Sequence, residues 1–231
     1  MKLRTRLGWT EIRNHLQYTG WLYLLVFALA FGLTNLVYAQ TAYRPPQHKR
    51  VDLYIQSAST SQETVNAFLE PIWREAAPDM ESVSAVLLMA AGNENDYYAN
   101  MQLMTYIAAG EGDIYMLSST DFKRFASQGA FIPLEEAIAQ GRLDATGLDL
   151  APGRVSLVDV DEKGNPVVLG EPRQFGVPAK DLYRFATELS IDNRDLVLAI
   201  SANSGNEDGS LAILNALIQR TRGEMPESFK Q

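Results

Sequence analysis

The longest uncharged stretch of the chain runs from Asn14 to Tyr43 and contains no Asp, Glu, Lys or Arg. Its apolar part is residues 20–39, GWLYLLVFALAFGLTNLVYA. A helix rises about 1.5 Å per residue, so twenty residues cover roughly the 30 Å of a bilayer's hydrocarbon core. Trp21 lies near one end and Tyr38 near the other, where aromatic rings favour the membrane interface. The stretch therefore predicts a transmembrane helix over residues 20–39.

The flanking charges predict the orientation of this helix. Residues 1–13 carry four basic residues and one acidic residue, so residues 1–19 are predicted to be a cytoplasmic basic segment. The rest of the chain would then be extracytoplasmic, in a single-pass protein of the cell membrane. Val37, Tyr38 and Ala39 also fit a signal-peptidase site, but the apolar stretch exceeds the 7–15 residues typical of a signal core. We expect an uncleaved signal anchor, with cleavage after Ala39 as the alternative.

The charge and cysteine content exclude several classes of function. Beyond residue 13 the chain has 16 basic and 27 acidic residues, a net charge of −11. Such a surface repels nucleic acid, so we expect the lipid bilayer, reached through the N-terminal helix, but no nucleic-acid partner. The chain has no cysteine, which excludes disulfides, thiolate metal sites and a lipid-modified cysteine. Any anchoring must come from the apolar segment itself.

The remaining sequence alternates strand-like and helix-like patterns. Residues 40–50 are a polar, proline-containing linker, residues 51–222 are predicted to form one domain, and residues 223–231 are a tail. Short apolar runs predict buried strands at Val51–Gln56, Ser84–Met89, Asp113–Leu117 and Leu196–Ser201. Helix-like segments lie between the first three strands and after the last one. This alternation predicts an α/β fold, a parallel sheet with helices on both faces.

Local signals predict how the helices begin and which side they bury. Thr60 and Glu63 have the spacing of a capping box, and Thr120 is expected to cap a later helix. A helix opening at Asp96 has an apolar set that is expected to face the core: Tyr98, Met101, Leu103, Met104 and Ile107. Ser156–Asp161 and Val167–Leu169 flank a polar turn, which predicts a β-hairpin.

Four short motifs carry a resemblance to a known family. Tyr106–Leu117 (YIAAGEGDIYML) resembles extracellular solute-binding proteins of ABC importers, the sugar-binding type especially, except that the family's proline before Asp113 is missing. The other motifs, in the family's order, are Phe125–Gly129 with Ile132–Leu134, then Phe175–Pro178, then Leu198–Ser204. The resemblance spans residues 51–220.

The resemblance implies a periplasmic-binding-protein-like sheet. Family members are roughly twice as long and have two lobes that close on a ligand. Between Pro178 and Leu196 this chain has room for one helix, so we expect an apparently truncated, single-lobe member of the family. Ligand capture by hinge closure is therefore not expected, because burying a ligand requires a concave site.

The family's ligand contacts come from loops after the sheet strands, which follows the general rule for open α/β sheets. In this chain those loops provide six candidate ligand-binding residues: Ser57, Ser59, Asn93, Glu94, Ser119 and Asp121. The alternative is that these residues are helix caps and turns.

Other chemistry has little support in the sequence. Asp159–Gly164 begins like a calcium loop, but Lys163 occupies a ligand position and Gly170 stands where the bidentate glutamate belongs, so a hairpin turn is favoured. His15 lies beside the membrane segment and His48 in the linker, which leaves the domain without a histidine base. We expect no catalytic residue, metal or cofactor, and no enzyme activity.

Two functions from different classes follow from these observations. The first is a non-enzymatic, membrane-anchored accessory or interaction domain with a membrane-protein partner, such as a transporter permease. The second is a small-ligand, carbohydrate-like receptor for an ABC importer. A carboxylate-based hydrolase is a distant third.

Overall fold

The computed structural model describes residues 9–41, 43, 45–88, 97–161 and 163–223. The chain divides into two compact units, residues 1–44 and 45–231. The helices and strands follow in the order α1 (Trp9–Thr41), β1 (Arg50–Gln56), α2 (Gln62–Ala76), β2 (Ser82–Leu88), α3 (Tyr97–Ala108), β3 (Ile114–Ser118), α4 (Ser119–Ser127), α5 (Glu135–Ala139), β4 (Arg154–Val160), β5 (Pro166–Gln174), β6 (Gly176–Pro178), α6 (Arg184–Leu189), β7 (Leu196–Ile200) and α7 (Glu207–Thr221).

The first unit contains the single long helix α1. Its segment Thr19–Tyr38 has a mean hydropathy of 1.8, and none of it is buried within the protein. By length and composition this helix is able to cross a membrane, as the sequence predicts, and a signal sequence near the N-terminus has the same character.

The second unit is built on a five-stranded sheet with the order β2-β1-β3-β7-β6. Strand β1 pairs in parallel with both β2 and β3, whereas β7 is antiparallel to β3 and to β6. The predicted α/β fold with helices on both faces is confirmed. The parallel arrangement expected from the alternation of the first three strands with helices is found in β1, β2 and β3, and β7, whose direction the pattern does not give, runs opposite to its neighbours.

The alternation of side chains along the strands gives the sheet two apolar faces. On one face Leu53, Met116 and Leu198 belong to a core that includes buried side chains of α2, α6 and α7. On the other face Tyr115 and Val197 pack in a second core with side chains of α3 and α4. A sheet buried on both faces explains why the strands read as continuous apolar runs.

Two helix caps differ from the sequence expectation by one or two residues. The N-cap of α2 is Ser61, whose Oγ accepts a hydrogen bond from the Thr64 N–H, so the predicted Thr60–Glu63 capping box is wrong. The N-cap of α4 is Ser118 rather than Thr120, since the Asp121 N–H donates to the Ser118 Oγ. Clusters of neighbouring Ser and Thr offer several caps, and spacing alone does not select one.

The predicted inward face of α3 is also partly wrong. Leu103 is buried together with Ala99, but Tyr98, Met101 and Met104 are exposed. Apolar residues occur all around this helix, so their spacing does not single out a face. Asp96, the predicted first residue of the helix, lies outside the described residues.

The predicted β-hairpin is confirmed. Strands β4 and β5 form a separate two-stranded antiparallel sheet. In its turn the Asp161 carboxylate accepts hydrogen bonds from the backbone N–H groups of Lys163 and Asn165, and these bonds lower the pKa of Asp161. The third residue of the calcium-like motif, Asp161, thus closes a turn.

Candidate functional site

A cleft of about 480 Å³ lies at the edge of the sheet where β1 and β3 end. Along the chain β1 connects to its neighbour β2 on one side, and β2 then connects to β3 on the other side of β1. In open α/β sheets such a change of direction leaves a crevice outside the carboxyl ends of the strands. The cleft is lined by Gln56, Ser57, Ala58, Ser59, Ser118, Ile191, Asp192, Arg194, Asp195 and Leu196.

The floor of the cleft is a buried polar network. The Gln56 side chain accepts a hydrogen bond from the Ser118 N–H at 2.8 Å and donates one to the Asp121 carboxylate at 2.9 Å. Ser118 Oγ donates to the same carboxylate at 3.1 Å. The other carboxylate oxygen of Asp121 lies 2.9 Å from the Arg124 guanidinium. Because Gln56, Ser118 and Asp121 are hydrogen-bonded to one another, the network fixes the ends of β1 and β3 relative to α4.

One wall of the cleft is the segment between α6 and β7. It begins at Ser190, which adopts the left-handed backbone conformation (φ 56°) that ends α6. Asn193 is fully buried, and its Nδ2 lies within hydrogen-bond reach of the carbonyl oxygens of Ala179, Lys180 and Leu182. This anchor holds the segment against the preceding loop.

The residues on either side of Asn193 present an ion pair at the cleft. The Arg194 guanidinium donates two hydrogen bonds to the Asp192 carboxylate, at 2.8 and 2.6 Å. These bonds lower the pKa of Asp192 and raise that of Arg194. Both groups are therefore charged at neutral pH, and both side chains are largely exposed. The cleft thus combines hydroxyls with one fixed pair of opposite charges.

The structure brings together four of the six candidate residues. Ser57 and Ser59 line the cleft, and Asp121 lies in its floor. Ser119 begins α4 beside the cleft, where its N–H donates to the Asp195 carbonyl. Asn93 and Glu94 lie outside the described residues.

Sequence reasoning missed the wall residues Asp192, Arg194 and Asp195. In a parallel sheet the segment before the last strand would lie at the opposite edge. Because β7 is antiparallel to β3, its first residue Leu196 pairs with Ser118, the last residue of β3. The segment before β7 therefore meets the loops that follow β1 and β3.

The glycine-rich motif at the end of α3 lies at the opposite edge, beside a polar cavity of about 300 Å³. Gly112 has φ +80°, and a Cβ there would come within 2.5 Å of the Tyr54 ring. The Asp113 carboxylate accepts hydrogen bonds from the Asp52 N–H at 2.9 Å and from the Ser204 hydroxyl at 2.7 Å. Tyr54 donates to Glu111 at 3.3 Å, and burial raises the pKa of Tyr54. The motif thus joins strand ends to one another.

Across the described parts of the chain, no three His, Asp or Glu side chains are placed to hold a metal ion.

No protein-family model matches the sequence, and no curated protein matches it. Several solved structures are similar to it. An extracellular solute-binding protein family 1 member from Alicyclobacillus acidocaldarius is 14% identical with a TM-score of 0.39, covering 58% of this chain and 29% of that one. An ABC substrate-binding protein from Listeria monocytogenes in complex with cycloalternan is 19% identical with a TM-score of 0.38, covering 60% and 33%.

A spermidine/putrescine ABC transporter substrate-binding protein from Streptococcus pneumoniae is 10% identical with a TM-score of 0.39, covering 74% of this chain and 78% of that one. The class of these structures is the one that the sequence motifs resemble. The chain spans about a third of the length of the first two proteins. Ligand and partner have to be argued from the chain's own residues.

Proposed function

We propose that the chain is a membrane-anchored, extracytoplasmic domain of the solute-binding-protein type that serves a membrane protein as a non-enzymatic accessory or interaction domain. A transporter permease is the natural partner. The observation that supports this most directly is the single wall of the cleft. Between β3 and β7 the described residues form α4, α5, the β4–β5 hairpin, β6 and α6. These elements are too few to build a second lobe that closes over the cleft, so the cleft is suited to contact a surface.

The charge states in the cleft support a non-enzymatic role. A general acid or base works best when its pKa lies near the operating pH. The hydrogen bonds from Arg194 lower the pKa of Asp192, which moves it further from neutral pH, so this carboxylate is a weak base. Asp121 is already engaged by Gln56, Ser118 and Arg124.

The test of the accessory role is a pairwise binding measurement with the membrane protein encoded beside this gene. Arg194→Ala alters the cleft, and Arg74→Ala is the matched control because Arg74 pairs with Glu70 on the exposed side of α2. We expect at least a tenfold loss of affinity for Arg194→Ala and no change for Arg74→Ala. Equal binding by both variants would contradict a role for the cleft in partner contact.

The anchor is tested separately. An uncleaved anchor leaves peptides of residues 1–13 detectable by mass spectrometry in the membrane fraction. A mature N-terminus at Gln40 would show instead that the apolar segment is a signal peptide.

The second candidate function is a small-ligand receptor, favoured by the hydroxyls of Ser57 and Ser59 beside the Asp192–Arg194 pair. Such groups hydrogen-bond a hydroxyl-rich ligand. A thermal-shift screen of residues 45–231 separates the two functions, because a ligand that binds the folded state raises the melting temperature. A strong shift that Arg194→Ala abolishes would favour the receptor.

A further inference from the structure

The outward face of α3 consists of uncharged, largely apolar side chains. Tyr97, Tyr98, Met101 and Met104 are 67%, 76%, 45% and 51% exposed. Positions 97, 101 and 104 follow one another at four- and three-residue spacing, so they form one stripe along the helix. The Tyr98 ring lies 5.9 Å from the Tyr97 ring in an edge-on arrangement that widens the stripe.

This helix differs from an ordinary surface helix, which places charged side chains outward. The twelve residues of α3 include no Asp, Glu, Lys or Arg. The chain beyond residue 13 nevertheless carries a net charge of −11. An exposed apolar patch inside a strongly acidic surface marks a contact with an uncharged partner.

The size of the patch argues against a second copy as that partner. The stripe from Tyr97 to Met104 spans eight residues, roughly 12 Å of a helix about 10 Å wide. A stable protein interface buries about 800 Å² on each partner. A lipid surface needs no matching shape, and tyrosine rings favour the interface of a bilayer.

The chain itself brings such a surface within reach. Helix α1 ends at Thr41 and β1 begins at Arg50, so residues 42–49 connect them, and a segment of this length reaches at most roughly 30 Å. A tether this short gives the domain an effective concentration at the bilayer of about millimolar, which makes a weak contact significant. This step rests on the membrane anchor proposed above.

We propose that the Tyr97–Met104 face of α3 docks on the zwitterionic lipid interface of the membrane that holds the anchor. Its lack of charge suits phosphatidylcholine-like headgroups, whereas the acidic remainder of the domain is repelled by anionic lipid. The contact orients the domain on the bilayer.

The absence of native cysteine allows a direct test by site-directed spin labelling of the full chain in phosphatidylcholine vesicles. Met101→Cys and Met104→Cys place the label on the α3 face. Glu63→Cys is the control on an exposed part of α2, and Leu29→Cys reports the anchor. We expect a water-soluble nickel chelate to reach the labels at 101 and 104 at least threefold less than the label at 63, while oxygen access rises. Adding Met104→Glu to Met101→Cys should restore the nickel access.

Three results would overturn the proposal, and they differ from one another. Nickel access at 101 and 104 equal to that at 63, with Leu29→Cys in the bilayer, removes the docking and leaves the anchor. Low access of both reagents at 101 and 104, or broadening between labels, means that protein covers the face. An aqueous label at 29 refutes the anchor, and the docking with it.

Discussion

The Gln56 side-chain oxygen accepts a hydrogen bond from the Ser118 N–H at 2.8 Å, which ties the end of β1 to the end of β3. The two residues are 62 positions apart in the sequence. The same amide donates to Asp121, so one side chain connects two strand ends and the start of α4 beneath the cleft.

Replacing Gln56 should therefore destabilise the domain. Gln56→Leu leaves the Ser118 N–H without its partner and removes one of the two hydrogen bonds from Gln56 and Ser118 to Asp121 Oδ2, and an unsatisfied buried group costs about 1–3 kcal/mol. Urea denaturation of residues 45–231 measures this loss. Gln140→Leu is the matched control, since Gln140 is exposed and its side chain donates a hydrogen bond to Glu136, four residues earlier. Equal stabilities of the two variants would mean that the network contributes nothing.

Replacing Asn193 in the cleft wall should also destabilise the domain. Asn193→Asp keeps the shape of the side chain but replaces the amide donor with an oxygen that faces the carbonyls of Ala179 and Leu182. We expect a loss of at least about 2 kcal/mol, because an unpaired charge would be buried among acceptors. Hydrogen exchange should also show faster opening of residues 190–195. A variant as stable and as protected as the parent would refute the anchoring role.

Asp144 makes the stability dependent on pH. Hydrogen bonds from the Thr146 side chain and backbone, and then from Gln219, lower the pKa of Asp144 to about 2. A carboxyl with a lowered folded-state pKa adds stability above its unfolded pKa of about 4, and this is lost as the pH falls through the folded value.

Asp144→Asn should therefore melt below the parent at pH 7, and the difference should shrink between about pH 4 and pH 2. Melting curves of both proteins across this range measure the effect. Because Asp144 is exposed, we expect a small shift. A difference that stays constant down to pH 2 would show that the charge of Asp144 is not involved.

Because β7 lies between β3 and β6 in the sheet, replacing Leu198 should lower the stability of the domain strongly. This side chain is fully buried in the core on one face of the sheet, whereas Leu169 in the hairpin is 47% exposed. Leu198→Ala should cost about 2–5 kcal/mol, the range for leucines in protein cores. Leu169→Ala should cost much less. Similar losses in denaturant titrations of the two variants would contradict the observed sheet order.

The strand β7 also shows what the sequence can and cannot predict. The run Leu196–Ser201 is apolar enough to predict a buried strand, and a strand is found there. The direction of a strand depends on the connections before it, and a local pattern has the same period in both directions. For that reason the sequence does not indicate that Asp192 and Arg194, which precede β7, lie at the cleft. The place of Ser57 and Ser59 at the cleft was predictable because they follow β1, and the loops after parallel strands lie at the carboxyl ends of those strands.

The face of α3 was not predictable for a different reason. Tyr98 and Met101 lie on one side of the helix and Leu103 on another, and all three are apolar, so burial is decided by packing against the sheet. The structure buries Leu103 and exposes the other two. Hydrophobicity predicts that such residues leave water, but it does not tell whether they enter the core or meet a partner.

For ligand affinity, the family resemblance and the observed cleft lead to opposite expectations. Two-lobed binding proteins enclose their ligand, and this offsets the roughly 4–15 kcal/mol of translational and rotational freedom lost on binding. Here a sugar would contact the loops after β1 and β3 and the Asp192–Arg194 wall, with its outer side in water. Hydroxyls that stay in water exchange no hydrogen bonds and add nothing to affinity.

We therefore expect residues 45–231 to bind mono- and oligosaccharides with dissociation constants no better than about 1 mM, equivalent to about −4 kcal/mol. Calorimetric titration with a panel of sugars measures the affinity, and small-angle scattering reports any closure. Arg194→Ala serves as the control, because it should abolish even weak binding in the cleft and leave binding elsewhere unchanged. A micromolar complex that also reduces the radius of gyration would require a second wall, and it would favour the receptor over the accessory domain.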